Sequence, residues 1–68
     1  MNSREEIGQR IREMRKMKNI SQKDLAKMTG ITQANMNRIE NGRYSPGLDI
    51  LARIADALEY DLFHQSSE

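Results

Sequence analysis

The sequence predicts an all-α fold, a compact bundle of short helices, on three observations. Apolar residues recur at helical spacing through the long segments, no run alternates apolar and polar residues as a strand would, and Pro46 is the only proline among 68 residues. That length supports one domain, placed at residues 1–64, with residues 65–68 (Gln-Ser-Ser-Glu) as a loose tail. A chain of this size buries a small core, so its stability must come from good helix packing, a metal, disulfides or a partner subunit. Two of these sources drop out. Cysteine is absent and His64 is the single histidine, which leaves no disulfide, no thiolate metal site and no imidazole pair; neither a metal nor a cofactor is expected. Met1 is followed by Asn-Ser-Arg-Glu-Glu rather than an apolar run, so no signal peptide and no membrane span are expected, and the expected location is the cytoplasm.

The elements follow in order. Ser3 with Glu6 three residues on is a capping-box pattern, and Ile7, Ile11 and Met14 then recur at i, i+4 and i+7, which predicts a first helix from about residue 4 to residue 18 with Asn19 closing it in the left-handed conformation. In "ISQKDL" Ser21 is an N-cap between Ile20 and Leu25, and in "ITQANM" Thr32 stands between Ile31 and Met36 in the same way; both are hydrophobic staples. These starts lie eleven residues apart, so the second helix has only about two turns, and Gly30 supplies the positive φ that redirects the chain. Two short helices around a glycine turn make a helix-turn-helix. A fourth helix, about Leu48 to Leu58, has Gly47 as its N-cap and Asp49 in its first turn. It carries two apolar stripes, Leu48, Leu51, Ala55 and Leu58 on one side and Ile50, Ile54 and Ala57 on another, so burial on more than one side is expected. Asp61 then caps a last helical turn with Leu62 and Phe63.

Charge divides along the chain. Residues 1–43 hold ten Lys or Arg against five acids, for +5, whereas in residues 44–68 Arg53 stands against Asp49, Asp56, Glu59, Asp61 and Glu68, for −4. The N-terminal two-thirds suits a polyanion. Solvated helix faces account for the same asymmetry, and the third helix discriminates between the two readings. At about 100° per residue, Met36 and Ile39 define its buried direction; Ala34, Asn37, Arg38 and Asn41 point away from it, with Gln33 and Asn35 on the flanks. That outer face has amides, a guanidinium and a small apolar residue but no carboxylate. A solvated face in a chain with 31% charged residues normally mixes both signs, whereas a face entering a DNA groove avoids anions. Gln and Asn pair with adenine, Arg with guanine, and Ala touches a thymine methyl.

"RIREMRKMKNISQKDLAKMTGITQANMNRIENG" resembles the helix-turn-helix domain of the phage repressor and Cro family, also called the XRE family, and the resemblance continues through "LDILARIADAL". It covers roughly residues 7 to 63. It implies a lambda-repressor-like fold of about five helices, with the helix-turn-helix at helices two and three and the third in the major groove. By this resemblance Gln33, Ala34 and Arg38 meet bases, and Asn35 and Asn37 lie near bases or backbone; Asn37 is taken as a base reader and Asn35 as a phosphate contact. Gln22, with Lys23 beside it, corresponds to a glutamine at the start of helix two that grips a phosphate and supports the recognition helix. Asn41, Gly42 and Arg43, with Tyr44, correspond to a loop whose amides and side chains touch phosphates. Arg15 and Glu40 correspond to a partly buried ion pair between helix one and the end of helix three. Glu59 departs from the family, where glycine usually follows the fourth helix.

"IENGRYSPG" therefore has two readings, an ordinary exposed turn or the loop that brings the recognition helix to the sugar-phosphate chain, and its place directly after the acid-free face favours the second. Tyr60, Leu62 and Phe63 are either the lid on the core or a dimer contact; Leu62 is assigned to the lid, and Tyr60 and Phe63 to the contact. Of the methionines besides Met1 (Met14, Met17, Met28 and Met36), three sit at core spacing and are read as gap fillers. Ser21, Ser45 and His64 do not combine into a nucleophile, a base and an oxyanion site, so no enzyme is expected. The function expected is a sequence-specific regulator of transcription, a repressor, that binds a double-stranded DNA operator as a homodimer and reads it with the helix from Gln33 to Glu40. Two alternatives stand beside it: the antitoxin of a toxin-antitoxin pair, with a toxin or other regulatory protein as partner, and an adaptor that binds protein without reading DNA.

Overall fold

The computed structural model describes the backbone of residues 3–66 and the side chains of residues 3–58. Four helices account for the described residues: α1 Arg4–Met17, α2 Gln22–Thr29, α3 Gln33–Glu40 and α4 Leu48–Ser66. Their starts are fixed locally. Ser3 Oγ accepts from the Glu6 amide while Glu6 Oε1 accepts from the Ser3 amide, a complete capping box. Ser21 Oγ accepts from the Asp24 amide and Thr32 Oγ1 from the Asn35 amide, so α2 and α3 are each capped by the hydroxyl that precedes them. Two ends are fixed by left-handed residues, Asn19 at φ 58° after α1 and Gly30 at φ 72° after α2.

α3 lies between α1 and α2, and α2 also packs on α4. The core they enclose is Ile11 from α1, Leu25 and Ala26 from α2, Ile31 from the turn, Met36 and Ile39 from α3, and Ile54 and Leu58 from α4. Ile20 lies half-buried against this cluster beside the start of α2, where the staple places it.

Three expectations are corrected here. First, there are four helices among the described residues and not about five: α4 continues through Glu59 and Asp61 to Ser66, taking in Gln65 as well. The physical reason is that no glycine or proline interrupts residues 48–66, and Glu59 is a good helix former where glycine would have ended the element. The backbone of Asp61 is thus inside a helix rather than before one. Second, the burial of α4 is partial: both apolar stripes contribute, Leu51 and Leu58 from one and Ile50, Ile54 and Ala57 from the other, but Leu48 is 85% exposed and Ala55 is exposed. Third, of the methionines beyond Met1, Met36 alone is buried; Met14 and Met28 are about half exposed. The side chains of Tyr60, Leu62 and Phe63, to which the lid and the dimer contact were assigned, lie outside the described residues.

Candidate nucleic-acid interface

One open hollow on the surface gathers most of the side chains that the sequence singles out. From α3 it takes Gln33, Ala34, Asn37 and Arg38, from the start of α2 Gln22, and from the C-terminal side of α3 Asn41, Arg43 and Tyr44. Its only charges are the two guanidinium groups. A neighbouring hollow between α1 and the end of α3 contains Arg12 and Lys16 but also Glu5, Glu13 and Glu40, a mixture that opposes a polyanion. Position and charge therefore agree on the first.

The hollow owes its shape to how α3 is held. Arg15 Nε donates to Glu40 Oε2 at 2.8 Å and Arg15 Nη2 to Glu40 Oε1 at 3.0 Å, a bidentate pair between α1 and the last residue of α3. Arg15 Nη1 donates to the Ile20 carbonyl at 2.9 Å, which ties the same guanidinium to the chain entering α2. Arg15 and Glu40 are 8% and 5% exposed, so this is a buried pair with its polar groups partnered.

Gly8 makes a close approach between α1 and α3 possible. A Cβ there would run into the Ile39 carbonyl oxygen and come within 2.9 Å of that of Glu40, so α1 and the C-terminal turn of α3 touch backbone to backbone. Gly8 is the positioning feature that sequence reasoning missed, whereas the bond from Gln22 to Glu40 supplies the partner for the expected support of α3 by Gln22. The available signal for Gly8 was a glycine inside an otherwise good helix, where its intrinsic cost of about 1 kcal/mol relative to alanine asks for a packing reason.

The loop after α3 differs from the expectation in one respect. Its amides are already committed: Asn41 donates to the Asn37 carbonyl, Gly42 to Ile39 and Arg43 to Arg38. These bonds close the end of α3, so a phosphate role through the backbone amide of Gly42 has no free hydrogen behind it. Gly42 instead takes φ 72° and lies buried against α1, where a Cβ would be 2.8 Å from Glu5 Cα. The loop also offers a phosphate the side chains of Asn41, Arg43 and Tyr44, all exposed.

Lys23 is exposed at the start of α2 but does not line the hollow, and Asn35 is half-buried with its amide held by Thr32. Gln22 is half-buried: its Nε2 donates to Glu40 Oε1 at 3.3 Å, and its Oε1 accepts from Asn37 Nδ2 at 3.5 Å. Among the described residues no group of His, Asp and Glu side chains is arranged to hold a metal ion, and no helix is long and apolar enough to cross a membrane.

A family model described as helix-turn-helix matches residues 11–64. Among curated proteins, the chain is 39% identical over 56 residues to the ImmF control region 10 kDa protein of Bacillus phage phi105, covering 82% of this chain and 62% of that one. It is 36% identical over 52 residues to the immunity repressor protein of the same phage, covering 76% of this chain and 36% of the repressor. An uncharacterized HTH-type transcriptional regulator of Methanothermobacter thermautotrophicus is 46% identical over 48 residues, 71% of this chain and 70% of its own length. The chain thus spans between about a third and two-thirds of the length of most of these relatives. No solved structure matches it at a comparable level of significance.

Proposed function

Since the chain belongs to the helix-turn-helix family whose model spans residues 11–64, we propose that it is a sequence-specific, double-stranded-DNA-binding regulator of transcription, acting as a repressor. One observation carries this reading: a single hollow joins the acid-free face of α3 to Gln22 and to the exposed Arg43 and Tyr44. Gln33, Ala34, Asn37 and Arg38 present to a major groove the amide, methyl and guanidinium groups that distinguish base edges. Gln22, Asn41, Arg43 and Tyr44, with Lys23 and Asn35 at the margins, offer donors to the phosphates on either side of that groove. The names of the relatives, an immunity repressor and an HTH-type transcriptional regulator, support repression of transcription as the outcome.

A binder this small covers about one half-site, and half-sites on B-DNA are read about one turn apart, so the functional unit is a homodimer on a two-fold operator. The dimer contact is assigned to the Tyr60–Phe63 segment of α4, a helix that already exposes Leu48 and Ala55 along one side. Selection of bound fragments from a random duplex pool tests the reading. A palindromic consensus is expected. Recovery of fragments without any shared sequence would leave a chain that binds DNA by charge alone or not at all, and the proposal would fall.

A further inference from the structure

Glu40 lies buried behind the groove-facing surface, yet it is connected to that surface by an unbroken line of side-chain amides. Its Oε1 accepts from Gln22 Nε2; Gln22 Oε1 accepts from Asn37 Nδ2; Asn37 Oδ1 accepts from Asn41 Nδ2 at 3.1 Å. An ionised carboxylate can only accept hydrogen bonds, so Gln22 must turn its nitrogen toward Glu40 and its oxygen toward α3. The same logic passes down the line. With Gln22 oxygen facing it, Asn37 must present its nitrogen there and its oxygen to Asn41. Turning over any one amide sets oxygen against oxygen or nitrogen against nitrogen at its neighbour.

A carboxamide has a donor end and an acceptor end of nearly the same shape, and an asparagine on a free helix face turns over between them readily. On a base edge this freedom matters, because adenine offers a donor beside an acceptor in one order along the groove and the reversed base pair offers other groups at those places. An amide free to turn accommodates several patterns; a fixed one matches a single order. The two bonds that hold Asn37 use one hydrogen of its nitrogen and one lone pair of its oxygen, leaving the second of each for a base.

From this geometry we infer that Glu40, acting through Gln22, fixes the direction of the Asn37 amide and thereby sets which base Asn37 accepts. Glu40 and Gln22 are positioning residues for selectivity at that base pair, Glu40 without reaching the DNA at all. The inference rests on Asn37 being a base reader, as proposed above.

The test uses the selected operator and duplexes that carry each single-base change in it, titrated with the parent chain, Asn37→Ala, Gln22→Met and Gln22→Lys, with folding followed by far-UV circular dichroism. Asn37→Ala locates the base pair concerned. At that base pair both Gln22 variants should lower discrimination from about tenfold to about threefold or less, whatever their overall affinity, with preferences elsewhere unchanged. Gln22→Lys separates orientation from grip, since an ammonium still donates to Glu40 and to a phosphate but has no oxygen for Asn37. It also serves if Gln22→Met folds poorly. Discrimination retained at that base pair by a folded Gln22 variant, with affinity lowered evenly on all duplexes, overturns the inference and leaves Asn37 as a reader. Preferences unchanged in Asn37→Ala overturn both.

Discussion

Removing either member of the Arg15–Glu40 pair should bring the domain close to unfolding, and removing both should cost much less than the sum. At about 0.05–0.15 kcal/mol per residue, 68 residues have a total stability of about 3–10 kcal/mol. Glu40→Ala leaves the Arg15 guanidinium, 8% exposed, with the Ile20 carbonyl as its remaining partner. Arg15→Ala leaves the Glu40 carboxylate, 5% exposed, with one amide hydrogen from Gln22 and takes away the donor to Ile20. Stranding a buried charge costs about 3–5 kcal/mol, and burial this deep gives little relief from solvent. The double variant strands neither charge, so its loss should fall short of the sum by about 2–3 kcal/mol. Urea unfolding of the parent and three variants, followed by circular dichroism in a stabilising osmolyte that keeps the single variants folded at zero urea, measures all four corners of the cycle. Additivity within about 0.5 kcal/mol would refute the reasoning, because it would mean that the two side chains do not interact.

Other outcomes follow from the same geometry. Gly8→Ala should lower the melting temperature although alanine is the better helix former: the overlap with the Ile39 and Glu40 carbonyls outweighs a propensity gain of about 1 kcal/mol, and a raised melting temperature would contradict the close approach. Thr32→Ala removes the hydroxyl that caps α3 and should cost about 1 kcal/mol in a thermal melt; no change would show that the cap is replaceable by solvent. Phe63→Asp should leave the fold intact and convert the DNA-bound species from two protomers to one by sedimentation, whereas a stoichiometry that stays at two would move the contact away from the end of α4.

Local features were legible in the sequence because their causes are local. The caps at Ser3, Ser21 and Thr32, the left-handed Asn19 and Gly30, and the buried direction of α3 all depend on residues within one or two turns of each other. Features that join distant segments were not. Gly8 meets Ile39 and Glu40, and no spacing rule reports a contact across some thirty residues. The extra helix was expected from Asp61 read as a cap and from likeness to a family of about five helices; with no glycine or proline after Leu48, α4 instead continues to Ser66. Apolar stripes marked potential burial but not its extent; Leu51 and Leu58 pack on the core, whereas Leu48 and Ala55 of the same stripe are exposed. The residues that line the hollow were legible by type, Gln33, Asn37 and Arg38 among them. The amide order that runs from Glu40 through Gln22 required coordinates, since it depends on four side chains, from α2, α3 and the cap of α3, meeting in sequence.

The claim that α3 reads bases while the flanking loop grips phosphates is tested most directly by one titration series at several salt concentrations, on the selected operator and on a scrambled duplex, with Gln33→Ala, Arg38→Ala and Arg43→Ala against the parent. Gln33→Ala and Arg38→Ala should each lose about 1–3 kcal/mol on the operator and much less on the scrambled duplex. Arg43→Ala should weaken both duplexes about equally and lower the salt slope by about one unit. Equal losses by all three variants on both duplexes, or no loss by any of them, would contradict the assignment of α3 as the reading helix and favour an adaptor that binds protein in its place.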